Sequence, residues 1–204
     1  MTGVQTCALP ILIMGRFDEA VVEIRRASEL DPLSLIINAD LSAPFFFAQQ
    51  YDRAIESLRK TLEMDPNFAL AHVRLGGAYE FKGMYEEAIA EYQRGIELSG
   101  SRAENPAISA VLAHAYAASG RGDQARDILN RLKEQSQRSY VSPCDIAEVH
   151  AALGEEDQAF EWLEKAYDAR SSDLRFLKVS QSFTDSLRSD PRFADLLRRV
   201  GLAE

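Results

Sequence analysis

An alanine recurs along this chain at Ala20, Ala54, Ala88, Ala125 and Ala159, so the steps between successive copies are 34, 34, 37 and 34 residues. A spacing of that length constrains the fold more than composition can, because it marks one supersecondary unit repeated in tandem. The cleanest copy is NFALAHVRLGGAYEFKGMYEEAIAEYQRGIELSG, from Asn67 to Gly100. Two helical patterns share it. The first places Ala71, Leu75, Ala78 and Tyr79 on one face, and the second places Ala88, Ile89, Tyr92 and Ile96 on one face, with Gly83 between them. A hairpin of helices cannot bury both of its faces alone, so the pattern requires neighbours on each side.

Further offsets support the period. A glycine able to end the first helix in a left-handed conformation stands five residues before the ruler alanine at Gly15, Gly83, Gly120 and Gly154, with Gln49 as the exception. Asp18, Asp52, Glu86, Asp123 and Asp157 open the second helices, where the positive end of the helix dipole favours them. Leu30-Asp31-Pro32 and Met64-Asp65-Pro66 close two repeats, since proline cannot continue a helix and pushes its predecessor out of the α region.

On these residues the chain resembles the tetratricopeptide repeat family. Leu75, Gly76, Tyr79 and Ala88 stand at the family's motif positions, and Leu112, Ala113, Tyr116 and Ala125 repeat them in the next unit with alanine for glycine. The resemblance implies an all-α fold, a right-handed α-solenoid of stacked antiparallel helix pairs. The array spans residues 12–172, about four and a half repeats, and a capping tail follows over 173–204. The order of YVSPCDIA and then LRSDPRFADLLRRVGL is similar to the C-terminal region of large bacterial regulators, in which a winged-helix, nucleotide cyclase or serine/threonine kinase domain precedes the repeats. MTGVQTCALPI, residues 1–11, resembles the conceptual translation of a sequencing adapter joined to a truncated reading frame. It is expected to stand outside the fold, with the authentic chain beginning near Leu12.

In the second hairpin, Pro44 is expected to bend the first helix by removing the hydrogen bond to Asp40. Phe45, Phe46 and Phe47 follow it, and two readings of them stay open: packing between repeats, or an apolar peptide site. In the family register the concave face is lined by Ile36, Phe46, Phe47, Leu70, Val73, Phe81 and His114, which the resemblance implies would hold an extended or helical apolar segment of a protein or peptide partner. Self-association within a larger signalling protein is the alternative. Only Arg74 is basic near this face, so selection of acidic chain ends is not expected.

The formal charge is -9, which argues against nucleic acid as a partner, since polyanions are held by fields of Lys and Arg. Residues 170–204 carry seven basic and five acidic side chains, leaving -11 on the remainder; both solvated charges and packing of the tail on an acidic array account for that. No apolar run is long enough for a membrane span, so the piece is expected to be soluble, with the cytoplasm favoured.

Enzymatic motifs are missing: there is no Gly-rich phosphate loop, HExxH or GxSxG. His114, Cys144 and Glu148 form the one suggestive grouping, a thiol beside an imidazole, but nothing supplies an oxyanion hole. His72 and His150 read as packing residues, and Trp162 as a contact to the tail or a surface residue. No cofactor, metal site or catalytic residue is therefore expected.

Overall fold

The computed structural model describes residues 10–100, 105–180, 182–183 and 185–202. Residues 1–9 of the adapter-like stretch lie outside them. All regular structure among the described residues is helical. The chain divides into two compact units, Met1–Gly100 and Ser101–Glu204.

The first unit begins with a helical turn over 10–13 and continues as α1 (Phe17–Leu30), α2 (Leu35–Asp40), α3 (Ser42–Phe47), α4 (Tyr51–Met64), α5 (Ala69–Phe81) and α6 (Tyr85–Leu98). Its ruler alanines, Ala20, Ala54 and Ala88, are completely buried. Each has no room for more than a methyl group where two helices meet. The turns between helices take the left-handed conformation at Gly15 and Gly83, and Gln49 adopts φ 59° at the same place despite its Cβ. Gln49 thus occupies the glycine position with some backbone strain. Both Asp-Pro stops work as expected, with Asp31 and Asp65 ending α1 and α4.

Pro44 does more than bend its helix. The first helix of this hairpin splits into α2 and α3 at Leu41, and the buried Ser42 hydroxyl donates to the Ala39 carbonyl at 2.7 Å. The hydroxyl thereby satisfies a carbonyl at the break.

The third hairpin shows why the sequence pairs a small residue with an aromatic. A Cβ on Gly76 would stand 2.7 Å from Cδ1 of Tyr92 and 3.1 Å from the Ala88 carbonyl oxygen, so only glycine lets α5 and α6 come this close. Tyr92 is buried, and its hydroxyl donates to the carboxylate of buried Glu80 at 2.7 Å.

The second unit contains α7 (Pro106–Ala118), α8 (Gly122–Ser136), α9 (Pro143–Ala152), α10 (Glu156–Asp168), a 3-10 turn (Ser172–Phe176), α11 (Asp185–Ser189) and α12 (Pro191–Arg199). Asn105 caps α7 by accepting from the Ala107 N–H at 3.1 Å, with Pro106 as the first helical residue. Ala125 and Ala159 are again fully buried, and Gly120 and Gly154 take positive φ.

The tail hides the outer side of the last hairpin. Leu174, Leu177, Phe183, Leu187, Phe193 and Leu196 join Ala159, Phe160, Leu163 and Ala166 of α10 in one core, and Trp162 packs half-buried against it. Arg199 forms a two-pronged pair with Glu164, both contacts at 2.7 Å, while Arg192 bonds Asp157 at 2.9 Å. Both guanidinium groups also lie 4.0 Å over aromatic rings, Tyr167 and Phe160. Part of the charge asymmetry of the tail is therefore packing on the acidic α10.

Candidate partner-binding face

Leu70, Arg74, Gly77 and Phe81 follow the i, i+4, i+7, i+11 spacing and so form one stripe along α5. Leu70 is 37% exposed and Ile36, its equivalent one repeat earlier, 46%. Both are large aliphatic side chains left partly in water at the start of their helices, where they forgo part of the gain that burial gives.

The far end of the stripe is aromatic. The rings of Phe46 and Phe81 meet edge to face with centroids 5.4 Å apart, Phe46 meets Phe47 at 5.5 Å and Tyr51 at 5.9 Å, and Tyr51 stacks on Phe81 at 6.4 Å. Such pairs contribute about 0.5–1.5 kcal/mol each beyond burial. All four rings stay half-exposed, while Phe45, the first of the triplet, turns into the core with Arg53 over its ring at 4.1 Å. One ring of the triplet packs inward and the other two lie at the surface. Gly77 belongs to this arrangement, since a Cβ there would lie 3.7 Å from Cε2 of Phe46.

Between the two ends, Arg74 Nη2 donates to Asp40 Oδ1 at 2.6 Å, joining helices of successive repeats. The pair is mostly shielded, at 29% and 20% side-chain exposure. Asp40 pairs with Arg74 through Nη2, while Arg74 Nη1 is buried with no hydrogen-bond partner among the described residues, so the middle of the stripe is polar. Val73 turns away from the stripe toward α6, where its Cγ2 fills the space beside Gly95.

His114 lies in the second unit. It is half-buried, with Nε2 3.2 Å from the carbonyl oxygen of Ser182. Cys144 and Glu148, the other members of the suggestive grouping, are likewise under the tail: Ser180 Oγ donates to Glu148 Oε1 at 3.2 Å, and Cys144 is buried in the core with Leu174 and Leu177. Burial first, and then the charges of Glu148, Asp173 and Asp145, push the thiol up to about 12. It stays a thiol at neutral pH and is a poor nucleophile there. Asp145 is pushed up to about 7 by burial and by Glu148 and Asp173. His150 and His72 pack as expected; Nδ1 of each is 2.6 Å from a carboxylate, Glu155 and Glu91 respectively. Among the described residues no group of three or more His, Cys, Asp or Glu is placed to hold a metal ion, and no helix is long and apolar enough to cross a membrane.

Two models of the tetratricopeptide repeat match the chain, over residues 45–103 and 83–142. The chain carries tetratricopeptide repeats. Tetratricopeptide repeat proteins generally mediate protein–protein interaction, and the repeat is typically a non-catalytic scaffold. Among solved structures, a thermophilic tetratricopeptide repeat protein of Thermus thermophilus is 20% identical, with 94% of this chain and 95% of that one covered and a TM-score of 0.65. A chain of the APC/C hetero-tetramer Cut9–Hcn1 is 11% identical over 96% of this chain and 36% of its own, with a TM-score of 0.63. A tetratricopeptide repeat protein of Parabacteroides merdae is 13% identical over 98% and 73%, with a TM-score of 0.53. These likenesses show the all-α repeat fold. No curated protein matches the chain in sequence.

Two parts of the face were not singled out from the sequence. Tyr51 completes the aromatic cluster, and Asp40 holds Arg74. The second had a signal: opposite charges 34 residues apart fall at the same position of successive repeats, which brings them side by side.

Proposed function

We propose that this chain is a protein-interaction module of a larger bacterial signalling or transcription-regulatory protein, and that it holds an apolar partner segment on the face formed by α2, α3 and α5. Ile36, Leu70, Phe46, Phe47 and Phe81 line that face, with Val73 packed behind them. The observation that carries the reading is the pair of partly exposed aliphatics, Ile36 and Leu70, in line with a half-exposed aromatic cluster on the same unit. Exposed apolar side chains grouped in this way mark a surface that another molecule covers.

A photo-crosslinking side chain introduced at Leu70, with Glu56 on α4 as the control position, tests this in cells of the native host. Capture of a protein at position 70 and not at 56 is the expected result. Equal yields at the two positions, or none at 70, would overturn it.

A second reading, self-association, rests on Met14 and Val22 of the first hairpin, 70% and 62% exposed. Light scattering across a concentration series separates the two. A mass that stays near 22.8 kDa removes this second reading, and a mass that doubles on concentration supports it.

A further inference from the structure

The position nine residues before the ruler alanine holds an aromatic ring in three successive hairpins: Phe45, Tyr79 and Tyr116, each buried. The fifth hairpin has His150 there, 2% exposed. Tyr79 shows where the position points, since its hydroxyl accepts from Arg59 of the preceding hairpin at 2.8 Å. At one joint between hairpins, a ring that keeps its charge state around neutral pH is thus replaced by one that changes it.

The surroundings of His150 fit its neutral form. Nδ1 is 2.6 Å from Glu155 Oε2, so Nδ1–H donates to the carboxylate. Nε2 is left with a lone pair, and it is buried with no hydrogen-bond partner among the described residues. His72 is the contrast within the chain: its Nδ1 is 2.6 Å from Glu91 and its Nε2 3.0 Å from the Pro66 carbonyl oxygen, so both N–H groups of a protonated ring would meet acceptors. A proton added at His150 Nε2 would instead be a buried donor without an acceptor, on a charged ring.

Neighbouring charges do not offset that cost. Glu155 is shared, because its Oε1 accepts from Arg126 of α8. Arg126 and Lys133, both on α8, repel an imidazolium here. Helix α7 carries no Asp, Glu, Lys or Arg. On α9 itself Glu148 accepts from Ser180 and Asp145 faces Glu148 and Asp173, while on α10 Asp157 pairs with Arg192 of the tail. Burial, against the attraction of Glu155 and reinforced by Lys133 and Arg126, holds His150 below the ordinary histidine value of 6.5.

We infer that the joint between the fourth and fifth hairpins is acid-sensitive: protonation of His150 loosens α9 from α8, and the neutral ring closes them. This does not depend on the partner-binding reading. Folding favours the neutral ring, so the stability it contributes is complete above the ordinary value of 6.5 and is lost as pH falls through that value toward the lower one of the folded chain. Asp145 acts with the opposite sign in the same unit, so a variant isolates the histidine where a pH series on the parent alone would not.

Hydrogen exchange read by mass spectrometry on the full chain, at about pH 7.5 and about pH 5, compares the parent with His150→Phe, which restores a ring that does not titrate. In peptides from α8 and α9 the ratio of parent to variant exchange rates should rise severalfold at the lower pH, while peptides from α4 and α5 keep one ratio. The titration of His150 itself needs no variant. Followed by NMR at its Cε1–H, beside His72 and His114, it should have a midpoint below 6.5. A midpoint at or above 6.5 would overturn the acid-sensitive joint, and so would a ratio for α8 and α9 that is the same at both pH values. Should His150→Phe fail to fold, the midpoint decides.

Discussion

In α5 the inner-face residues Leu70 and Phe81 are partly exposed, whereas in α9 Cys144 packs under Leu174 and Leu177 of the tail and Glu148 accepts from Ser180. At one shared repeat position the first unit has Gly77, which presents no side chain, and the second has His114 and Glu148, which meet Ser182 and Ser180. A repeat position therefore has no fixed purpose; its chemistry follows what covers it. Where the chain covers itself, it uses residues that bond to a known neighbour, such as Glu148 to Ser180. The face proposed for a partner on the first unit instead presents partly exposed apolar side chains.

The largest effect expected from breaking this comparison comes from uncovering the second unit. Phe193 is 2% exposed and meets Phe183 edge to face at 5.8 Å. Phe193→Ala should destabilise that unit by about 3–5 kcal/mol, because the ring leaves a cavity between tail and α10. Urea unfolding followed by Trp162, the single tryptophan, reads this directly, since its ring packs on the same core. A change under about 1 kcal/mol would mean that the tail is a loose covering.

Next comes the close approach of α5 and α6 in the first unit. Gly76→Ala puts a methyl group against Tyr92, whose nearest ring atoms are at 2.7 and 2.8 Å, and should cost about 1–3 kcal/mol. Circular dichroism at 222 nm during thermal unfolding checks it. Unchanged stability would show that Tyr92 can shift without losing its bond to Glu80.

A smaller effect concerns pH and the second unit alone. Burial beside Glu148 and Asp173 raises Asp145 to about 7, so folding favours its protonated form. The stability it contributes is complete below the ordinary carboxylate range near pH 4, and is lost as pH rises through about 7. Asp145→Asn stays neutral throughout. It should exceed the parent in stability at pH 8 and match it near pH 4, by urea unfolding at the two pH values. The reverse order would mean that the carboxylate is welcome where it stands, at the first turn of α9.

What the sequence made legible was whatever repeats. Ala20, Ala54, Ala88, Ala125 and Ala159 stand out by their spacing and are all fully buried, and Gln49, the odd member of the glycine series, takes the same left-handed turn at φ 59°. Tyr51 joined the aromatic cluster unannounced, because its ring reaches Phe46 and Phe81 across helices, and single-helix periodicity does not register that. The placing of Ser180 on Glu148 and of Ser182 beside His114 was also illegible. The tail abandons the period, so nothing in its order says which repeat positions it will cover.

The finest test uses two neighbouring glycines with opposite surroundings. Gly76 is pressed by Tyr92, but a Cβ on Gly77 would meet the Tyr92 hydroxyl oxygen at 3.5 Å and Phe46 at 3.7 Å, ordinary contact distances. Both lie inside α5, where glycine costs about 0.5–1 kcal/mol relative to alanine through its conformational freedom in the unfolded chain. Gly77→Ala should accordingly stabilise the first unit by up to about 0.5–1 kcal/mol, opposite in sign to Gly76→Ala. Its added methyl would also narrow the middle of the proposed site. A variant that melts higher yet crosslinks less at position 70 would show that this glycine is kept for the partner at the expense of the helix, whereas higher stability with unchanged crosslinking would place the partner away from Gly77.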